Sequence, residues 1–275
     1  MKKIAILGCG WLGLPLSKSL VEKSFVISGS TTTFEKLEIL EKLNIQPFLI
    51  SISEDKITGS IDDFLHGTNI LIIDIPPKLR GANKENFVQK IANLIPYIEK
   101  SSVEKVIFIS STSVFEDDNS IVTDDTIPNA ISESGKQLFA VEQLLQKNTH
   151  FETTVIRFGG LVGTDRHPAK MLAGRSDIEN PDGVINLIHQ QDCVAIIEKV
   201  IEKNFWSESI NAVSPFHPTR ESYYTQKAAY FGLAPPTFDH SKPSVGKLVV
   251  VDKVDKILGH RFLWTDVGFE FTLSN

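Results

Sequence analysis

Apolar positions along the chain alternate between two periods. Short apolar or β-branched runs at 3–7, 25–28, 46–50, 70–73, 106–109 and 153–158 read as strands. The uninterrupted ones, Ile70 to Ile73 and Val106 to Ile109, have the pattern of strands buried on both faces. Between them the spacing turns helical. Leu12, Leu16 and Leu20 predict a helix from about Trp11 to Lys23, and the hydroxyls of Ser30 to Thr33 a capped helix through Leu43. Further helices are predicted over 84–100, where Pro96 is expected to kink or shorten the helix, and over 134–146. Strands alternating with helices imply a parallel sheet with right-handed crossovers: an α/β, doubly wound Rossmann-type fold.

Beyond Arg157 the rhythm breaks. Gly159 to Gly163 and Asp165 to Pro168 are loop chemistry, with a short helix expected near 170–172. A helix over 191–203 with Asp192 in its first turn, a short strand at 211–213, and a helix over 220–231 closed by Gly232 follow. A strand at 247–251 and a short helix over 252–258 complete the pattern. The division predicted is a dinucleotide-binding unit of residues 1–157 and 186–213, with a small C-terminal substrate-side cap of residues 158–185 and 214–275. The cap is expected over the carboxyl ends of the strands, where open α/β sheets take ligands.

With 275 residues, 41% of them hydrophobic and 23% charged, the chain has an ordinary globular composition. A net charge of −6 argues against a nucleic-acid partner, which needs a basic excess. No apolar run is long enough for a membrane span. The run after Lys2 and Lys3 stops at Gly8, short of a secretory signal core, so a cytoplasmic location is expected. Cys9 and Cys193 fit a reducing compartment and have no metal-ligand spacing. Helices 84–100 and 137–148 offer faces for a homodimer and equally for solvent.

Chemistry enters with Gly8-Cys-Gly-Trp-Leu-Gly13, placed between the first strand and the first helix. In that context Gly-x-Gly-x-x-Gly signals a dinucleotide site: a tight turn at Gly8, close approach of a pyrophosphate at Gly10, and helix–strand contact at Gly13. Trp11 and Leu12 lie in the same loop, where the helix N-terminus favours an anion. A packed glycine turn without ligand is the alternative. NAD sites place an acid at the end of the second strand; here Ser30, Thr31 and Thr32 stand there, with Lys36 in the next turn. The absent carboxylate favours NADP and leaves NAD open, and helix capping is the competing reading of these hydroxyls.

The chain resembles the extended short-chain dehydrogenase/reductase superfamily, the NAD-dependent epimerase/dehydratase-like group, and among them its atypical members. The resemblance rests on Gly8-x-Gly-x-x-Gly13, on Ile107-Phe-Ile-Ser-Ser-Thr-Ser-Val-Phe115, on Val155-Ile-Arg-Phe-Gly-Gly-Leu-Val-Gly163 and on Ile188-His-Gln-Gln-Asp192. It implies that Ser111, or Thr112 in a shifted register, polarises a substrate oxygen, with Phe115 in place of the usual Tyr. The family's Tyr-x-x-x-Lys pair matches Ser132-Glu-Ser-Gly-Lys136: the lysine that holds the nicotinamide ribose is present, and Ser132 stands where the proton-transferring Tyr is expected. Serine is a far weaker acid than phenol, whose ordinary pKa is about 10. The resemblance thus implies hydride chemistry on a small carbonyl or sugar-like substrate with an impaired acid, or a non-catalytic NADP(H)-binding sensor.

Other residues have a second reading beside a bland one. Asp74 stands to line the cofactor cleft or cap a turn, and the resemblance makes Ile75, Pro76 and Pro77 a cofactor wall or a strand end. Lys78 and Arg80 read as anion ligands or solvated charges. Asp165, Arg166, His167 and Arg175 read as substrate-side contacts or a surface loop. Glu116, Asp117 and Asp118 read as a substitute acid or an exposed turn, and His189 with Asp192 as a catalytic pair or a helix cap.

Overall fold

The computed structural model of the protein describes residues 2–77 and 85–264. In chain order the elements are β1 (Lys3–Leu7), α1 (Gly13–Glu22), β2 (Val26–Thr31), α2 (Lys36–Lys42), β3 (Gln46–Leu49), the hairpin β4 (Ser51–Ile52) and β5 (Ile57–Thr58), α3 (Ile61–Leu65), β6 (Ile70–Ile73), α4 (Phe87–Lys100) and β7 (Lys105–Ser111). Then follow β8 (Ile121–Val122), α5 (Glu133–Gln146), β9 (Glu152–Phe158), β10 (Gly160–Val162), α6 (Ala169–Leu172), β11 (Leu187–His189), α7 (Gln190–Glu202), β12 (Ser209–Ala212), α8 (Arg220–Tyr230), β13 (Leu248–Val249) and α9 (Lys253–Lys256).

Seven strands form one parallel sheet in the order β12-β9-β7-β6-β1-β2-β3. Side chains alternate across a strand, and the alternation divides the core into two layers. Ala5 and Leu7 of β1, with Leu71 and Ile73 of β6, face α4 and α5 through Ile91, Leu94, Val141 and Leu145. Ile4 and Ile6, with Ile70 and Ile72, face α1 and α7 through Leu16, Leu20, Ile196 and Val200. Helices on both faces explain why Ile4 to Leu7 and Ile70 to Ile73 carry no polar residue: neither face meets water. The fold is α/β, doubly wound and Rossmann-like.

From β1 the chain runs outward to β2 and β3, then returns to β6 on the other side of β1. That reversal opens a crevice beyond the ends of β1 and β6. Among the described residues no helix is long and apolar enough to cross a membrane.

Several expected boundaries move. The first helix begins at Gly13, not Trp11, because the glycine loop occupies Gly8 to Leu12. Ser30 and Thr31 do not cap a helix: they end β2, buried beside β1, and α2 starts only at Lys36 with Glu35 at its N-cap. Pro96 does not end α4, which continues to Lys100. The hairpin β4–β5 and helix α3 fill a stretch whose sequence carried no strong period.

Candidate functional site: a crevice at the ends of β1, β2 and β6

Gly8 has a φ of +110°, and a Cβ there would lie 2.3 Å from the Asp74 carbonyl oxygen. Only glycine combines that backbone angle with so close a crossing. At Gly13 a Cβ would lie 2.1 Å from the Gly8 carbonyl oxygen, so the first turn of α1 rests directly on the loop. Gly10 differs: a Cβ there would meet nothing within 4 Å. Packing accounts for the outer two glycines and not for the middle one, whose Cα faces open space. That is the cradle a diphosphate needs.

Hydrogen bonds hold the loop to β2. The Gly8 amide donates to Ser30 Oγ at 2.9 Å, and the Cys9 amide to the Ser30 carbonyl at 2.7 Å. Cys9 points inward, its Sγ 3.5 Å from Ser17 Oγ, and burial pushes its thiol up to about 11. Leu12 is buried in the core.

A cavity of about 290 Å³ lies in front of the loop. Gly8, Gly10, Asp74, Ile75 and Pro76 line its β1–β6 side, and Ser30, Thr31, Thr32, Thr33 and Lys36 its β2 side. The structure thus gathers Gly8, Gly10, Ser30, Thr31, Thr32, Ile75 and Pro76 into one crevice. It adds Ile50, Ser51 and Ile52, brought in by the turn after β3, and the ion pair of Glu85 with the buried Lys90. Neither addition has a local sequence signature, since each depends on chain reversals that place distant segments side by side. Desolvation pushes the Asp74 carboxyl up to about 8, against the opposing pull of the Gly13 amide.

Ser111 ends β7, and Ser132 and Lys136 stand at the start of α5, which packs on the turn that follows Ser111. Ser111 Oγ accepts the Ser113 amide at 3.1 Å and so caps the 3-10 turn Thr112–Val114. Thr112 is buried within that turn, while Ser111 is partly exposed. Helix α5 packs on the turn through Gly135, where a Cβ would lie 2.2 Å from the Ser113 carbonyl oxygen. Ser132 is the N-cap of α5, its Oγ accepting the Gly135 amide at 3.2 Å. Lys136 follows one helical turn later, exposed, with no ion pair among the described residues. Phe115 is buried beneath the Arg157 guanidinium, 5.2 Å from the ring centre.

The remaining candidates divide. Asp117 pairs with Lys247 at 2.6 Å and Asp118 accepts the Ser120 amide at 3.0 Å, so these two carboxylates tie down the 117–120 loop. His189 caps α7 by accepting the Gln191 amide and stacks on Trp264 at 4.1 Å. Asp192 accepts from His260 and from the Leu263 and Trp264 amides, which makes it an anchor for the C-terminal segment. His167 packs between Tyr223 and Phe231; burial, with Lys227 and Lys170 nearby, pushes it down to about 4 and keeps it neutral. Asp165 and Arg166 lie against Trp11, and Arg175 is exposed. Lys78 and Arg80 lie outside the described residues.

No family model matches the chain. Protein YeeZ of Escherichia coli (strain K12) is 32% identical to it over 268 residues, which cover 97% of each chain. Among solved structures, a functionally unknown conserved protein from Silicibacter pomeroyi superposes with a TM-score of 0.77 at 22% identity, over 95% of this chain and 94% of that one. UDP-glucuronic acid 4-epimerase from Bacillus cereus, in complex with NAD, also gives 0.77, at 18% identity over 94% and 91%. A short-chain dehydrogenase/reductase superfamily protein from Agrobacterium tumefaciens with bound NAD gives 0.75, at 15% identity over 96% and 93%. At such identities the structural likeness is one of fold, whereas the likeness to YeeZ runs through the sequence from end to end. The chain belongs to the family of Protein YeeZ, built on the extended short-chain dehydrogenase/reductase fold.

Proposed function

We propose that the protein binds NADP(H) in the crevice at the ends of β1, β2 and β6, and presents it to a small carbonyl or sugar-like substrate beside Ser111 and Lys136. The observation that carries this reading is Gly10: it is a glycine that packing does not require, open toward a cavity of diphosphate-binding character. Two structural neighbours hold NAD, which supports a nicotinamide dinucleotide on the same scaffold. The choice of NADP rests on the β2 side of the cavity. It carries the hydroxyls of Thr31, Thr32 and Thr33 and the Lys36 ammonium and, among the described residues, no carboxylate to repel a 2′-phosphate.

When bound, the dihydronicotinamide supplies the hydride. The rest falls to this chain's side chains. Ser111 Oγ already accepts one amide, so its O–H is the hydrogen left for a substrate oxygen. Lys136 holds ribose hydroxyls by charge-assisted hydrogen bonds. Ser132 stands in place of the family's tyrosine and cannot take over its proton transfer, because serine is a far poorer acid than phenol. The proton for the substrate oxygen then comes from water.

The serine at 132, where the family has a phenol, also favours a second reading, in which the protein binds NADP(H) without turnover and reports its level. Calorimetric titration with NADPH and NADH tests the cofactor, and a carbonyl screen of wild type and Lys136→Met tests turnover. Thr32→Asp should shift preference from NADPH toward NADH by at least about tenfold, the size of one charge-assisted contact. Absence of heat and of thermal stabilisation with both nucleotides overturns the proposal.

A further inference from the structure

Trp11 projects from the glycine loop and is gripped from a segment more than 150 residues away in sequence. Its indole N–H donates to Asp165 Oδ1 at 2.8 Å, a pair separated by 154 positions. Its carbonyl accepts Gln190 Nε2 at 2.6 Å. Gly163 closes on the ring so tightly that a Cβ there would lie 2.7 Å from it. Gly163 and Arg166 exchange backbone hydrogen bonds at 2.9 and 3.1 Å, a tight turn that fixes where Arg166 leaves the chain. The Arg166 guanidinium then lies over the indole, 5.1 Å from its centre.

Two features make this more than a packed corner. Arg166 is exposed and has no ion-pair partner among the described residues, and the adjacent carboxylate of Asp165 is already engaged by the indole. The ring that carries it belongs to the residue next to Gly10, whose Cα faces open space. A positioned cation with no ion pair among the described residues, one aromatic ring away from the open face at Gly10, complements a ligand with two adjacent negative charges.

Resting on the cofactor reading above, we infer that the turn Gly163–Arg166 is a latch on the diphosphate: Asp165 and Gly163 seat Trp11, and Arg166 closes over the bound phosphates from the opposite side of the loop amides. The residue thereby serves the cofactor's diphosphate rather than the substrate. Guanidinium suits this role because it can bind two phosphate oxygens at once while stacked on the ring.

The test is calorimetric titration of wild type, Arg166→Gln and Arg166→Lys with NADPH and with 2′-phospho-ADP-ribose, which keeps the diphosphate and the 2′-phosphate and lacks the nicotinamide. Arg166→Gln should weaken both ligands by about tenfold, the size of one charge-assisted contact. Its binding should depend less on ionic strength, and Arg166→Lys should recover part of the loss. The melting temperature should not move, since the side chain is at the surface. Loss confined to NADPH would overturn the inference by placing Arg166 on the nicotinamide half. Equal binding by wild type and Arg166→Gln would overturn the latch alone, whereas a wild type that binds neither ligand overturns the cofactor reading with it.

Discussion

Arg157 on β9 and Glu142 on α5 form a buried ion pair, with Arg157 Nη2 donating to Glu142 Oε2 at 2.8 Å. Arg157 Nε donates to both carboxylate oxygens at 3.1 Å, and Ser110 Oγ donates to Oε1 at 2.6 Å. The cluster fastens α5 to the strand ends that carry Ser111, so it sets where the Ser132 to Lys136 turn stands. Glu142→Gln would leave the guanidinium buried without its counter-charge. We expect a loss of roughly 3 kcal/mol in urea unfolding, with a large part recovered in Glu142→Leu/Arg157→Met, because breaking such a pair costs more than replacing it. An additive double variant would show that the two residues act separately.

The glycines of the loop should separate stability from binding. Gly13→Ala forces a methyl against the Gly8 carbonyl and should destabilise the fold by about 1–3 kcal/mol, typical of overpacking. Gly10→Asp enters open space, so its melting temperature should match wild type. Its carboxylate would occupy the diphosphate position and abolish the calorimetric signal with NADPH. A melting temperature that falls with Gly10→Asp and holds with Gly13→Ala would reverse the assignment.

Asp74 predicts a pH dependence of stability. Burial raises its carboxyl from an ordinary value near 3.8 to about 8 in the folded chain. Between those values the folded state keeps a proton that the unfolded chain has released. Stability from this group is therefore complete below pH 4 and lost as pH rises toward 8. Asp74→Asn stays neutral throughout, so its unfolding free energy relative to wild type should increase from pH 5 to pH 8. A difference that is flat with pH would mean that Asp74 is ionised in the fold. Lys36 and Lys90 line the same cavity and the pair partner Glu85 offsets one of them, so these groups are kept constant in the comparison.

Both cysteines should resist alkylation until the protein unfolds. Cys9 is 4% exposed with its thiol at about 11, and Cys193 is fully buried, where desolvation pushes its thiol well above the ordinary range. Mass spectrometry after iodoacetamide treatment at pH 8 should find neither modified in the native protein and both modified in urea.

What the sequence alone determined is local. The apolar run at Ile70 to Ile73 specified a strand covered on both sides, and the glycine spacing after β1 specified a tight loop leading into a helix. These follow from side-chain period and backbone freedom, properties of a few neighbouring residues. Ser30 shows the limit. Its hydroxyl suits a helix cap or a strand end equally well, and only pairing of β2 against β1 turned it toward the Gly8 amide. The tertiary structure likewise decided that His189 and Asp192 hold the C-terminal segment, and that Arg166 lies over Trp11. Each of these depends on segments brought together by the sheet order. A hydrogen-bonding side chain takes whichever partner folding places within about 3 Å, and local pattern carries no record of that partner.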